Sequence, residues 1–95
     1  MVAKNNNTNK TIKILVTVFE KNGEYEYNTL VLMEVPKGVD IWDMLDNYAK
    51  DWYGYPESAE KVDDCEYYLN YGEIYVAVSY VPVTEEDYLV LKKYI

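Results

Sequence analysis

Residues 84–95 read TEEDYLVLKKYI, and the conformation of this last stretch decides the fold. As a strand, its alternation sets Leu89, Leu91 and Ile95 on one face and Tyr88, Val90, Lys92 and Tyr94 on the other. As a helix, Thr84 and Asp87 resemble a capping box and the two lysines suit a C-terminus, yet only Tyr88, Leu91 and Ile95 share a clean face while Leu89, Val90 and Tyr94 scatter. The scatter favours the strand, and the strand reading predicts an α+β domain of ββαββ(β) order: one helix packed on a four- to five-stranded mixed sheet whose other face is open. The helical reading predicts ββαββα with that face covered.

Upstream, Ile74–Val81 alternates as a strand and residues 66–69 form a shorter one, with Asn70-Tyr71-Gly72 as the turn between them. Tyr67 and Tyr68 are adjacent, so they cannot both face the core. Residues 56–65 read as an acidic loop. Before it, Asp40 caps a helix running to about Trp52, with Ile41, Met44, Leu45, Tyr48, Ala49 and Trp52 on one face and Asp43, Asp46, Asn47 and Lys50 on the other. Tyr53-Gly54-Tyr55-Pro56 stops it.

Residues 11–34 form a hairpin. With Asn22-Gly23 as a two-residue turn, Lys21 faces Glu24, Leu15 faces Leu30 and Ile14 faces Val31. The core face then holds Ile12, Ile14, Val16, Val18, Tyr25, Tyr27, Val31 and Met33. The other holds Lys13, Leu15, Thr17, Phe19, Glu24, Glu26, Leu30 and Leu32. Residues 1–10 read as a flexible tail, leaving 11–95 as a single domain.

The order of elements, with Val35-Pro36-Lys37-Gly38-Val39 leading into Ile41 and Leu45, resembles the β-grasp (ubiquitin-like) superfamily. Asn70-Tyr71-Gly72, and Pro82 followed by Asp87, stand where that superfamily often has Asn-Gly and a later Pro–Asp turn; here Tyr71 splits the Asn-Gly, and Glu86 replaces a usual glycine. The resemblance implies a sheet wrapped on one helix. Its carrier chemistry needs a Gly-Gly end, where this chain has Lys92-Lys93-Tyr94-Ile95, and its iron–sulfur members need four cysteines, where this chain has one. What remains is non-catalytic binding.

The net charge is -8, and residues 40–73 hold ten acids against two lysines, so the imbalance lies in the middle third. Such a field repels nucleic acid and attracts basic surfaces. The chain has no Arg and no His, which removes bidentate phosphate recognition and the commonest general base. A lone Cys65 among Asp63, Asp64 and Glu66 allows no intrachain disulfide or thiolate cluster and disfavours a reactive thiol. The expectation is a cytoplasmic, non-enzymatic protein without cofactor or metal, which contacts neither nucleic acid nor membrane directly.

Two binding readings follow. In one, an apolar face of Leu15, Phe19, Leu30 and Leu32 receives a protein partner or a second copy of the chain. In the other, Asp43, Asp46, Asp51, Asp63, Asp64 and Glu66, interleaved with Tyr53, Tyr55 and Tyr71, form an acidic and aromatic face. That face would imitate nucleic acid toward a basic nucleic-acid-binding protein, as a phage anti-CRISPR or anti-restriction inhibitor does. A plainer reading of the same acids is a solvated face that keeps a small protein soluble.

Overall fold

The computed structural model describes residues 11–95; the tail expected over residues 1–10 lies outside them. The order is β1 (Thr11–Asn22), β2 (Tyr25–Pro36), α1 (Ile41–Lys50), a 3₁₀ turn (Pro56–Ser58), β3 (Glu60–Asp63), β4 (Glu66–Leu69), β5 (Ile74–Pro82) and α2 (Glu85–Leu91). The strands form one sheet in the order β2-β1-β5-β4-β3. Every neighbouring pair is antiparallel. The expected mixed sheet is therefore corrected to an antiparallel one. This order differs from a simple ββαββ arrangement and does not confirm the β-grasp ordering.

The last stretch is the helix α2, not a strand. Thr84 Oγ1 accepts the Asp87 N–H at 3.0 Å, so the capping signal was the decisive one. The scattered apolar pattern misleads because a helix of seven residues needs little buried face: only Tyr88 is buried. A second correction concerns residues 60–63, expected as loop. They form β3, an edge strand exposed along its whole length, so no apolar alternation marks it.

The hairpin turn also differs by one position. Asn22 pairs with Tyr25, leaving Gly23-Glu24 as the loop, and Gly23 takes the positive φ of +64° at the first central position, as in a II′ turn. Lys21 thus pairs with Glu26, Leu15 with Leu32 and Ile14 with Met33. The shift moves β2 by two residues, which preserves the face of every side chain because the strand period is two. Ile14, Val16 and Val18 are fully buried as expected, but Tyr25 is 75 % exposed and Tyr27 45 %, and both leave the core set.

α1 carries the chain from the β2 edge across the core face to the β3 edge. Asp40 Oδ1 accepts the Asp43 N–H at 3.1 Å and caps it. Leu45 and Ala49 bury against β4 and β5, flanked by Ile41, Met44, Tyr48 and Trp52. None of the helices described is long and apolar enough to cross a membrane.

Candidate interaction site

The face opposite α1 is a ladder of side chains fixed by register. At one end stands Lys13, whose ammonium meets Glu34 at 3.3 Å and Glu85 at 3.1 Å and lies 5.3 Å from the centre of the Tyr88 ring. The Val83 N–H donates to the Lys13 carbonyl at 3.0 Å. These contacts seat α2 over that end alone, so the covered sheet of the helical alternative is covered only in part.

The rungs beyond it are open. Leu32, Leu15 and Val81 stand side by side across three strands, then Leu30, Thr17 and Ser79. Asn28, Phe19, Ala77 and Glu66 follow, and then Glu26, Lys21, Tyr75, Tyr68 and Glu60. Leu30 is 45 % exposed, Tyr68 41 % and Val81 54 %. All four residues expected on the apolar face lie on it, and Val81, Tyr68 and Tyr75 extend it.

At the hairpin-turn end this face hollows into a cleft of about 560 Å³ lined by Phe19, Lys21, Gly23, Glu26, Tyr68, Glu73 and Tyr75. The Tyr75 ring meets Phe19 and Tyr68 edge-on, with centroids 6.2 and 5.7 Å apart, which fixes its orientation. Its hydroxyl donates to Glu66 Oε1 at 2.8 Å. Burial and the Glu66 carboxylate push the phenol up to about 12, so Tyr75 stays a neutral donor. Lys21 stands 3.9 Å from Glu26 at the rim.

The expected acidic and aromatic face does not form one surface. Asp43, Asp46 and Asp64 do converge with Asp40, around Trp42 and Lys61, on a cleft of about 220 Å³. Within it Asp46 is structural. It accepts the Cys65 N–H and the Tyr67 hydroxyl, each at 2.8 Å, and meets Lys61 at 3.2 Å, which ties α1 to β4. Burial alone would raise the Asp46 pKa, but these donors outweigh it and hold the carboxyl below its ordinary range. Asp63 accepts the Asp64 N–H at the β3–β4 turn, at 2.7 Å.

The other members of that set are elsewhere. Asp51 closes α1 beside Met44, Asn47, Tyr48 and Trp52. Tyr55 and Tyr71 line a separate hollow with Glu57, Ser58 and Asn70. Glu66 faces the open side of the sheet. Tyr71 sits with φ of +58° between Asn70 at +53° and Gly72 at +92°, and it is 85 % exposed. A bulky side chain in this left-handed region is strained.

Tyr53 belongs to a cluster that sequence reasoning missed. Glu20 is only 3 % exposed. Its Oε1 accepts from Trp52 Nε1 at 3.1 Å, and its Oε2 accepts from the Tyr27 hydroxyl at 3.1 Å and from the Tyr53 hydroxyl. Burial, then Glu20 itself, raises the Tyr53 phenol far above its ordinary value. The signal was present: Glu20 continues the phase of Ile12, Ile14, Val16 and Val18, an acid at a core position of the alternation. Three donors on one carboxylate lock the end of α1 to the hairpin. Among the described residues, no group of three or more His, Cys, Asp or Glu converges as around a metal ion.

Comparison of the chain with protein-family models, with curated proteins and with solved structures gave no match.

Proposed function

We propose that this chain is a non-enzymatic acidic protein-binding domain that receives its partner on the open sheet face. The observation that supports this most is the ladder itself. Register gathers Leu15, Leu30, Leu32, Val81, Phe19, Tyr68 and Tyr75 on the side that α1 leaves bare and α2 covers only at one end. Leu30, Tyr68 and Val81 are exposed and the other four half-buried, and an apolar sheet face left partly open in this way suits a docking surface. The cleft between Phe19, Tyr68 and Tyr75 suits an apolar or aromatic anchor, and Glu26 and Glu73 at its rim suit a basic neighbour of that anchor.

A second reading, an anti-defence inhibitor whose residues 40–73 imitate nucleic acid, draws on the convergence of Asp40, Asp43 and Asp64. It is the weaker of the two. Lys61 sits among those acids, Asp46 is occupied by three donors, and Glu66 faces the other side of the sheet.

Affinity capture with two folded variants separates them. Partner retention lost in Tyr68→Asp but kept in Asp43→Asn/Asp64→Asn supports the open face. The reverse pattern, with steep weakening in salt, transfers the function to the acidic cleft. Binding indifferent to both sets of changes refutes both readings.

A further inference from the structure

The two edges of the sheet are built differently. β3 is four residues long, carries Glu60, Lys61 and Asp63, and is bulged between Lys61 and Asp63. These are the usual defences against pairing with another strand. β2 has twelve residues, and between Glu26 and Glu34 it reads YNTLVLM, without a charge or a proline. Among the described residues no strand lies beyond it.

We propose that β2 is a homodimer seam, at which a second copy of the chain adds its own β2 antiparallel and the two sheets join into one of ten strands. The hydrogen-bonding groups are available for this. A two-residue loop makes Asn22–Tyr25 a pair that exchanges both of its hydrogen bonds, and such pairs alternate along the ladder. Odd-numbered residues of β2 therefore bond β1, and the even-numbered ones from Glu26 to Glu34 turn their N–H and C=O outward.

Symmetry and charge select the register. A two-fold normal to the sheet joins even residues to even ones and keeps each face continuous. With Val31 opposite the partner's Val31, Leu30 meets the partner's Leu32, Thr29 meets the partner's Met33 and Asn28 meets the partner's Glu34. Glu26 then lies opposite the partner's Pro36. Sliding the seam to centre on Leu30 sets Glu26 opposite the partner's Glu34, and centring on Thr29 sets Glu24 there; like charges directly opposite are unfavourable. Centring on Leu32 avoids that clash but sets Leu30 opposite the partner's Glu34 and shortens the seam by two residues.

The net charge of -8 does not forbid the contact. β3 lies at the far edge, α1 packs against β4 and β5, and four strand spacings amount to roughly 19 Å, more than two Debye lengths in physiological salt. The seam would be about 37 Å long and roughly 14 Å tall, burying on the order of 1,000 Å² in total, which places the dimer at the weak, reversible end of specific interfaces.

The test combines sedimentation velocity with amide hydrogen exchange across a roughly hundredfold concentration range reaching the high micromolar. Mass should double as concentration rises, and the N–H groups of Asn28, Leu30 and Leu32 should gain protection in step. Asn28→Lys should lower the dissociation constant roughly fivefold through two new cross-strand pairs with the partner's Glu34, and Asn28→Glu should raise it. Asn28→Pro removes an outward donor at an edge position that tolerates proline, and it should give monomer at every concentration.

A monomer throughout overturns the proposal. So does doubling of mass with those amides unprotected, or protection that ignores concentration, which would put another segment on the edge. Opposite charges at position 28 that act alike overturn the register. The seam does not rest on the open-face docking reading, whose test uses Tyr68 on another strand.

Discussion

Removing the indole donor from the Glu20 cluster, by Trp52→Phe, should cost about 1.5–3 kcal/mol, the range for a hydrogen bond to a charged group whose partner stays buried. The geometry decides which donor matters most. Tyr27 and Tyr53 are exposed enough to turn their hydroxyls to water, whereas Trp52 is half-buried against Tyr48 and the core. Glu20→Gln keeps the volume but replaces one accepting oxygen with an NH₂ facing a donor, so it should cost about 1–3 kcal/mol as well. If the two changes report one interaction, the double variant should fall short of additivity by about 1–2 kcal/mol. The cluster contains no cation among its partners, so the coupling comes from hydrogen bonds rather than an ion pair, and molar salt should leave it nearly intact. Urea unfolding at low and high salt measures it, and each kcal/mol should also lower the melting temperature by about 4–8 °C in a domain of this size. A coupling below about 0.5 kcal/mol, or one that salt abolishes, would refute the lock.

Two further outcomes follow from other sites. Asp46 has a folded pKa below the ordinary aspartate value of 3.8, so its contribution is full above that pH and is lost as pH falls through the lower folded value. Asp46→Asn should therefore be less stable than the parent near neutrality, with the gap closing below pH 3.8; a gap that stays constant through this acid window in urea titrations contradicts the donor account. Tyr71→Gly should stabilise the domain by about 0.5–1 kcal/mol, since glycine relieves the left-handed strain but loses more chain entropy. Unchanged or lower stability in the same unfolding assay would mean that the turn carries no strain at Tyr71.

Which residues share the open face was legible because parity alone determines it; its openness was not, because it was tied to a terminal strand and depends instead on how little of the sheet a seven-residue helix covers. Leu15, Phe19, Leu30 and Leu32 share a side in any hairpin register shifted by two, so an error in the turn left the face intact. The acidic set was not legible, because it was drawn from a stretch of chain rather than from a surface: residues 40–73 run from a helix over one face to strands at the far edge, and Glu66 and Asp46 end on opposite sides of the sheet. β3 escaped notice because an edge strand made of Glu, Lys, Val and Asp carries the marks of a loop. α2 was misjudged by asking a seven-residue helix for an apolar stripe that its single buried residue, Tyr88, does not require. Glu20 was overlooked although its position in the alternation announced it.

The coincidence of many tyrosines and many acids has an explanation inside the fold. A carboxylate that loses water needs hydrogen-bond donors or a paired cation. This chain has no Arg or His, and of Glu20, Asp46 and Glu66 only Asp46 is met by a lysine among the described residues, Lys61. Tyrosine hydroxyls take that place: Tyr27 and Tyr53 donate to Glu20, Tyr67 to Asp46 and Tyr75 to Glu66. Each such phenol is itself held neutral, its pKa raised by burial and by the carboxylate it serves. The pairing is mutual: the acid keeps the phenol protonated, and the phenol keeps the acid hydrogen-bonded. Composition rich in Tyr, Asp and Glu therefore does not by itself argue for an imitation of nucleic acid. Tyrosines that serve no carboxylate lack this internal explanation. Tyr68 is one of them, on the open face, and Tyr71 is another, held outward at a strained turn where glycine would be the easier residue.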